Sequence, residues 1–274
     1  MEEKKSLLLE TLPTGKPHVS FSEMKMWKEC SWRHRLVHIK NLSAFLPSPI
    51  LEFGTAVHEA CENFLKTRVA DAKIATDALE EAWKKHAKIP EFTAKALEVA
   101  KAEAALILAE LPEFMEREFP GWELVDAEHK LYEQVEGHPH AFKGFIDGVI
   151  KCAGKRKGEV LYWIIDWKTS ASGWRKEQKQ DETKKYQLAL YKNFWCQKHP
   201  EIDPKNVRTT FVILKKSAKL GQHCENFVVS MGPVPISRSL QVVSNMLVTV
   251  KRGIAIKNRS ACTWCEFKDT EHCK

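Results

Sequence analysis

Three residues stand out as equipped for chemistry. Asp147 lies in Gly144-Phe145-Ile146-Asp147-Gly148. Asp166 and Lys168 lie in Trp163-Ile164-Ile165-Asp166-Trp167-Lys168-Thr169. Asp166 and Lys168 are two apart in a segment of strand character, so both project from one face, while Ile165 and Trp167 point the other way, into packing. If segments 141–151 and 159–167 pair as a hairpin, Asp147 comes close to Asp166. Two carboxylates beside an ammonium suit a hard divalent cation, Mg²⁺ or Mn²⁺, which prefers carboxylate oxygens, water and phosphate. The matching chemistry is phosphodiester hydrolysis. The cation polarises the phosphoryl oxygen, lowers the pKa of a bound water and stabilises the departing oxygen. Lys168 orients that water or neutralises charge developing in the transition state. Taken alone, Asp-x-Lys also describes an exposed ion pair on a surface hairpin.

The elements that must hold these groups follow from pattern. Residues 1–17 read as a loose leader, and the domain is taken to begin at residue 20. A first helix starts near Ser20, with Glu23 three positions on in capping-box spacing, and runs through Met24, Trp27 and Cys30 towards Leu36. A second begins near Phe53-Gly54 and passes His58, Cys61 and Leu65. Two Ala-rich amphipathic helices occupy 71–88 and 93–118. Strands follow at 123–135, 141–151 and 159–167, the last two joined by a turn over 153–158. Then come a helix at 182–198, strands at 207–215 and 223–230, a helix at 235–256 and a cysteine-rich tail at 257–274. The order predicts an α/β or α+β fold: a mixed sheet flanked by helices, with an N-terminal helical part.

Four ordered motifs resemble the PD-(D/E)XK superfamily, and within it the RecB-like nuclease branch. They are Gly54-Thr55-Ala56-Val57-His58, Gly144-x-x-Asp147, Asp166-x-Lys168-Thr169 and Gln187-Leu188-Ala189-Leu190-Tyr191. The resemblance implies a restriction-endonuclease-like fold and metal-dependent nuclease activity. It implies that Asp147 and Asp166 bind metal with His58 as a further ligand, and that Lys168 is catalytic. Gln187 and Tyr191 share a helix face at i and i+4, and the resemblance implies that they line the substrate groove. Helix-to-sheet packing is the other reading of Tyr191, and a hydrogen-bonded core histidine the other reading of His58. Glu128 falls where relatives carry an additional glutamate, although a solvated strand-edge carboxylate fits that position equally.

The tail carries Cys262, Cys265 and Cys273, and Cys30 supplies a fourth thiol. This set resembles the iron–sulfur members of the RecB-like nucleases, of AddB-type and CRISPR-associated kind, and implies a 4Fe-4S cluster that staples the chain ends together. Cys-x-x-Cys is not specific: His34 and His272 leave room for zinc, and unliganded thiols remain a third reading. Cys61, Cys152, Cys196 and Cys224 read as small apolar residues.

Composition bounds the rest. The chain has 274 residues, 43% hydrophobic and 29% charged, enough for a sizeable core. It has no apolar run long enough for a membrane span and no signal-peptide pattern. The formal charge is +7 but uneven: residues 59–128 carry 16 acidic and 9 basic side chains, so the remainder is strongly basic. That asymmetry suits a polyanion, and equally plain solubility. Lys151–Lys157, Trp174-Arg175 with Lys176–Lys179, and Lys215, Lys216 and Lys219 are candidate phosphate contacts, each also readable as a solvated loop. Trp174 beside Arg175 is a candidate stacking platform for an unpaired base. The expectation is an exonuclease, with some endonuclease activity, acting on single-stranded DNA or DNA ends. Recombination, repair, replication or CRISPR-adaptation proteins are its expected partners, and a homo-oligomer is among the possible assemblies. The expected location is the cytoplasm of a bacterial or archaeal cell, or of a phage-infected host. The alternative is a non-catalytic iron–sulfur or zinc DNA-binding subunit.

Overall fold

The computed structural model describes residues 9–42 and 46–274. A six-stranded mixed sheet forms its centre: β1 His18–Ser20, β2 Glu123–Gln134, β3 Ala141–Ala153, β4 Val160–Ser170, β5 Val207–Lys215 and β6 Cys224–Val228. Strand β2 lies antiparallel along one edge of β3. The other edge of β3 is shared. β1 pairs with it in parallel at Ala141–Lys143, and β4 pairs antiparallel at Gly148–Ala153. β5 continues parallel to β4 through Ser170↔Lys215, and β6 closes the sheet antiparallel to β5.

Helices cover both faces. On one lie α3 (Pro49–Thr67), α4 (Ala72–Lys85) and α5 (Ala94–Glu118). Their apolar stripes bury Phe53, Val57, Phe64, Leu79, Ile107 and Phe114 against Ile150, Ile165, Trp167, Val212 and Leu214 of the sheet. On the other lie α1 (Phe21–Glu29), α7 (Glu182–Lys198) and α8 (Pro233–Lys251). There Met24, Leu188, Phe194, Trp195 and Met246 meet Phe142, Ile146, Val149, Ile164 and Phe211. Phe142 and Phe194 stack with centroids 4.7 Å apart, which ties α7 to β3. Two short helices complete the set, α2 (Ser31–His34) and α6 (Lys176–Gln180).

Several sequence expectations need correction. Residues 9–17 are not a loose leader: Leu12 is buried and the segment leads into β1, which joins the sheet, while residues 1–8 lie outside the described ones. The first helix does start after Ser20, whose hydroxyl accepts from Glu23 N, but the reciprocal half of the capping box is missing. Glu23 is buried and bound instead to His34 Nε2 at 3.0 Å. The helix stops at Cys30, which is extended (φ −159°, ψ 105°), and resumes as α2, followed by a π-type turn at Arg35–Ile39. α3 starts at Pro49, four residues before expectation, because Ser48 caps it and proline suits the first helical position. α8 ends at Lys251, five residues early, and Gly253 follows with φ 70°.

Candidate active site

The site lies where β3 and β4 part company. Their pairing ends at Gly148↔Ile165, and β1 takes up the same edge of β3 only at Lys143. Gly144–Asp147 therefore have no strand beside them on that edge among the described residues. One register step beyond Gly148↔Ile165 stand Asp147 and Asp166, facing each other across the opening. The sheet hydrogen bond lost there is replaced: Trp167 N donates to Asp147 Oδ2 at 2.7 Å. A carboxylate is thus pinned at the fork by the backbone of the strand that carries its partner.

Burial fixes the second carboxylate. Ile165 and Trp167 are buried in the core under α3, as the two-residue period requires, so Asp166 and Lys168 project to the opposite face. Asp166 is 1% exposed. Loss of solvent raises its pKa to about 6; Lys168 opposes the rise and Asp147 adds to it. Lys168 Nζ lies 2.5 Å from Asp166 Oδ2, yet that oxygen has no donor aligned for a hydrogen bond. His58, on α3, places Nδ1 3.6 Å from Asp147 Oδ1. Its helix is held close to β4: a Cβ on Gly54 would lie 3.4 Å from Thr169 Oγ1.

α7 closes the opposite side. Tyr191 is buried, its ring so close to Gly144 that a Cβ there would meet Cε1 at 2.8 Å. Burial, with Asp166 and Asp147 nearby, pushes the phenol pKa well above its usual range and keeps Tyr191 neutral. Gln187 Nε2 donates to its hydroxyl at 3.0 Å. The structure thus brings together His58, Asp147, Asp166, Lys168, Gln187 and Tyr191. Glu128 sits on β2 in register with Asp147, between the pairs Ala127↔Gly148 and His129↔Ile146. It is exposed, with φ 53°, in a left-handed conformation that strands rarely adopt.

The donors fit a hard divalent cation in kind: two carboxylates, one with a buried oxygen lacking an aligned donor, beside an imidazole. They are not gathered as a coordination shell. Among the described residues, no three His, Cys, Asp or Glu side chains converge closely enough to hold a metal ion. That applies equally to the cysteines. Cys30, Cys262, Cys265 and Cys273 line one cavity of about 410 Å³, all as free thiols, without closing on a common centre.

Several lysines of the basic segments are engaged in ion pairs of their own. Lys151 lies in β3 and pairs with Glu123 at 2.9 Å, while Lys155–Lys157 occupy the β3–β4 turn, roughly 25 Å along the strand from the carboxylates. Lys179 and Lys215 both reach Glu225, at 2.5 and 3.4 Å, and Lys216 reaches Glu103 at 3.4 Å. Arg175 is exposed at the start of α6, and Lys219 stands in the β5–β6 turn. Trp174 is not a free platform: its ring packs on Phe211, centroids 5.0 Å apart, and on Phe227 at 6.1 Å. Sequence reasoning missed Lys184, which places its ammonium 4.9 Å over the Trp174 ring. Its spacing three residues before Gln187, on the same helix face, was the available signal.

No helix among the described residues is long and apolar enough to cross a membrane. No curated protein matches the sequence. Among solved structures, the chain is similar to one from Eubacterium rectale described as a putative exonuclease. The TM-score is 0.56 and the identity 16%, over 92% of this chain and 88% of that one, a likeness of fold. The family model of the PD-(D/E)XK nuclease superfamily matches residues 18–270, which include the fork, both carboxylates and three of the four tail-set cysteines. The chain belongs to the PD-(D/E)XK nuclease superfamily.

Proposed function

We propose that the protein is a RecB-like, Mg²⁺- or Mn²⁺-dependent DNA exonuclease with some endonuclease activity, carried on one nuclease domain that includes β1. The observation that carries the reading is the fork itself, where Asp147 and Asp166 face each other with Lys168 and His58 at hand. Nucleases of this superfamily generally use divalent metals. Asp147 and Asp166, with His58, would hold the ion, which when bound supplies Lewis-acid polarisation of the phosphate and a more acidic water.

The chain's own residues do the rest. Trp167 N–H fixes one Asp147 oxygen and leaves the other turned towards His58. Lys168 is already poised at Asp166 and would turn towards the scissile phosphate, offsetting charge as the departing oxygen leaves. Tyr191, held neutral by burial, keeps a phenolic proton and is oriented by Gln187 along the groove. Glu128 is a reserve carboxylate on the neighbouring strand, in register with Asp147.

We assign Cys30, Cys262, Cys265 and Cys273 to a structural 4Fe-4S cluster, zinc being the other candidate. Their common cavity supports the assignment. Single-stranded DNA or DNA ends are the proposed substrate, in the cytoplasm and alongside recombination, replication or CRISPR-adaptation proteins.

The test is degradation of end-labelled single- and double-stranded DNA with Mg²⁺, Mn²⁺ or EDTA, beside Asp166→Ala. Metal-dependent products absent from the variant are expected. Binding without cleavage under any metal would overturn the reading in favour of a DNA-binding subunit.

A further inference from the structure

Lys184 is a cation near the fork, with Asp181 at the helix cap as the carboxylate that partly offsets it. It lies in the first turn of α7, partly buried, and forms no ion pair among the described residues. The neighbouring lysines 168, 179, 215 and 216 all do. Trp174 supports the ammonium from below, 4.9 Å from the ring centre.

Other cations stand nearby. Lys25 of α1 and Lys168 of β4 are both close enough to disfavour the charge on Lys184, adding to the effect of its burial, with Asp181 at the helix cap opposing. α1 is held against this end of α7 by Lys28 Nζ, which donates to Thr183 Oγ1 at 2.8 Å. Lys25 has one partner of its own, Glu29 at 3.7 Å. A partly desolvated ammonium placed among like charges is unfavourable until an anion joins it.

The helix sets the direction. Lys184, Gln187 and Tyr191 stand at i, i+3 and i+7 and share one face. Tyr191 abuts the carboxylate pair, and Lys184 lies about 10 Å further along the helix axis. From the fork outward, the polar groups run Tyr191, Gln187, Lys184, Lys25.

We propose that Lys184, supported by Lys25, binds a backbone phosphate of the substrate strand on one side of the scissile phosphate, so that the strand runs along this face of α7 towards α1. The assignment rests on the nuclease reading above. It places the bound phosphate within about three nucleotide steps of the cleaved one.

The test uses the full chain and a fluorescent single-stranded DNA 20-mer in EDTA, with anisotropy read at several salt concentrations. The variants are Lys184→Gln, Lys184→Arg, Lys25→Gln and, at the remote turn, Lys155→Gln. Losing one phosphate contact should flatten the slope of log affinity against log salt by about 0.7. The dissociation constant of Lys184→Gln should rise several-fold at low salt, with a smaller rise for Lys25→Gln. Lys184→Arg should restore binding, Lys155→Gln should match wild type, and in cleavage assays Lys184→Gln should raise KM more than it lowers kcat. Wild-type affinity and slope for Lys184→Gln would overturn the proposal, as would an arginine variant no better than glutamine. If wild type itself bound no DNA, the nuclease reading would fall with it.

Discussion

The sheet fork and the cysteine tail both gather reactive side chains from distant parts of the chain, but they hold them differently. At the fork, Asp166 is flanked by two fully buried residues, and Asp147 is tied to a backbone N–H. Register and core packing position both carboxylates. In the tail, residues 257–274, Phe267 is the one buried side chain among those described. The tail is fastened mainly by polar contacts to the α1–α2 corner: Asn258 Nδ2 to Glu29 O at 2.8 Å, Trp32 Nε1 to His272 O at 3.0 Å, and Arg33 to Glu266 at 2.9 Å. Exposed contacts of this kind are individually weak. The fork is therefore preorganised by the fold, while the tail rests on contacts that are individually weak.

Breaking the fork should affect cleavage and spare the fold. Asp166→Ala is expected to lower the cleavage rate about a thousand-fold or more, since metal positioning contributes several kcal/mol to transition-state stabilisation. DNA binding in EDTA should persist. Substantial cleavage by this variant would remove the fork from the mechanism.

Breaking the tail should do the reverse. Cys265→Ala is expected to lower bound iron or zinc, measured by elemental analysis, and to lower the melting temperature by about 5 °C or more. Cys152→Ala, outside the set, should leave metal content unchanged. Equal metal content in the two variants would mean that the tail binds no metal.

The fork should also carry a pH signature that the tail lacks. The Asp166 pKa is raised in the folded chain to about 6, from an ordinary value of 3.8. The folded state then holds its proton more tightly than the unfolded state. Stability from this group is full below about pH 4 and falls as pH rises through 6. A shift of about two units corresponds to roughly 3 kcal/mol, an order-of-magnitude figure for a buried carboxylate beside Lys168. In EDTA, Asp166→Asn should accordingly raise the melting temperature at pH 8 and leave it nearly unchanged at pH 4. A uniform shift at both values would assign the change to packing instead.

How much of each region could be read in advance also differs. The strand over 207–215 and the helix over 182–198 lie where their periodicity placed them, because each is bounded by its own cap or turn and buried along its length. The nearness of Asp147 to Asp166 followed from the hairpin of the two strands that carry them. The break at Cys30 was not legible, since no glycine or proline marks it and the cause is tertiary: Glu23 binds His34 across the corner. The parallel pairing of β1 with β3 leaves no local signal in three residues. The starts of α3 and α8's end did carry signals, Ser48-Pro49 and Gly253. The ion pairs of Lys179, Lys215 and Lys216 were not legible, because their partners, Glu225 and Glu103, are remote in sequence or on another strand. Lys184 was hidden for a related reason: in a lysine-rich stretch nothing marks the one whose ammonium lies over Trp174.

The mildest change tests whether register alone preorganises the fork. Gly144 needs no special backbone angle, so its lack of a side chain serves contact: an added Cβ would stand 2.8 Å from Tyr191 Cε1 and 3.1 Å from Phe142 Cε1. Neither ring has room to withdraw, because Tyr191 is 5% exposed and Phe142 is stacked on Phe194. Gly144→Ala should therefore cost about 1–3 kcal/mol of stability, measured by urea unfolding, through overpacking. If α7 moves outward to relieve the contact, Gln187 and Tyr191 retreat from the carboxylates and activity falls with stability. Gly144→Ala combined with Tyr191→Leu should recover stability, because the ring is gone, but not activity, because the phenol is gone too. Recovery of both would mean that Tyr191 only packs. A single Gly144→Ala variant with unchanged stability and cleavage would mean that the helix and the fork are less tightly coupled than their contact implies.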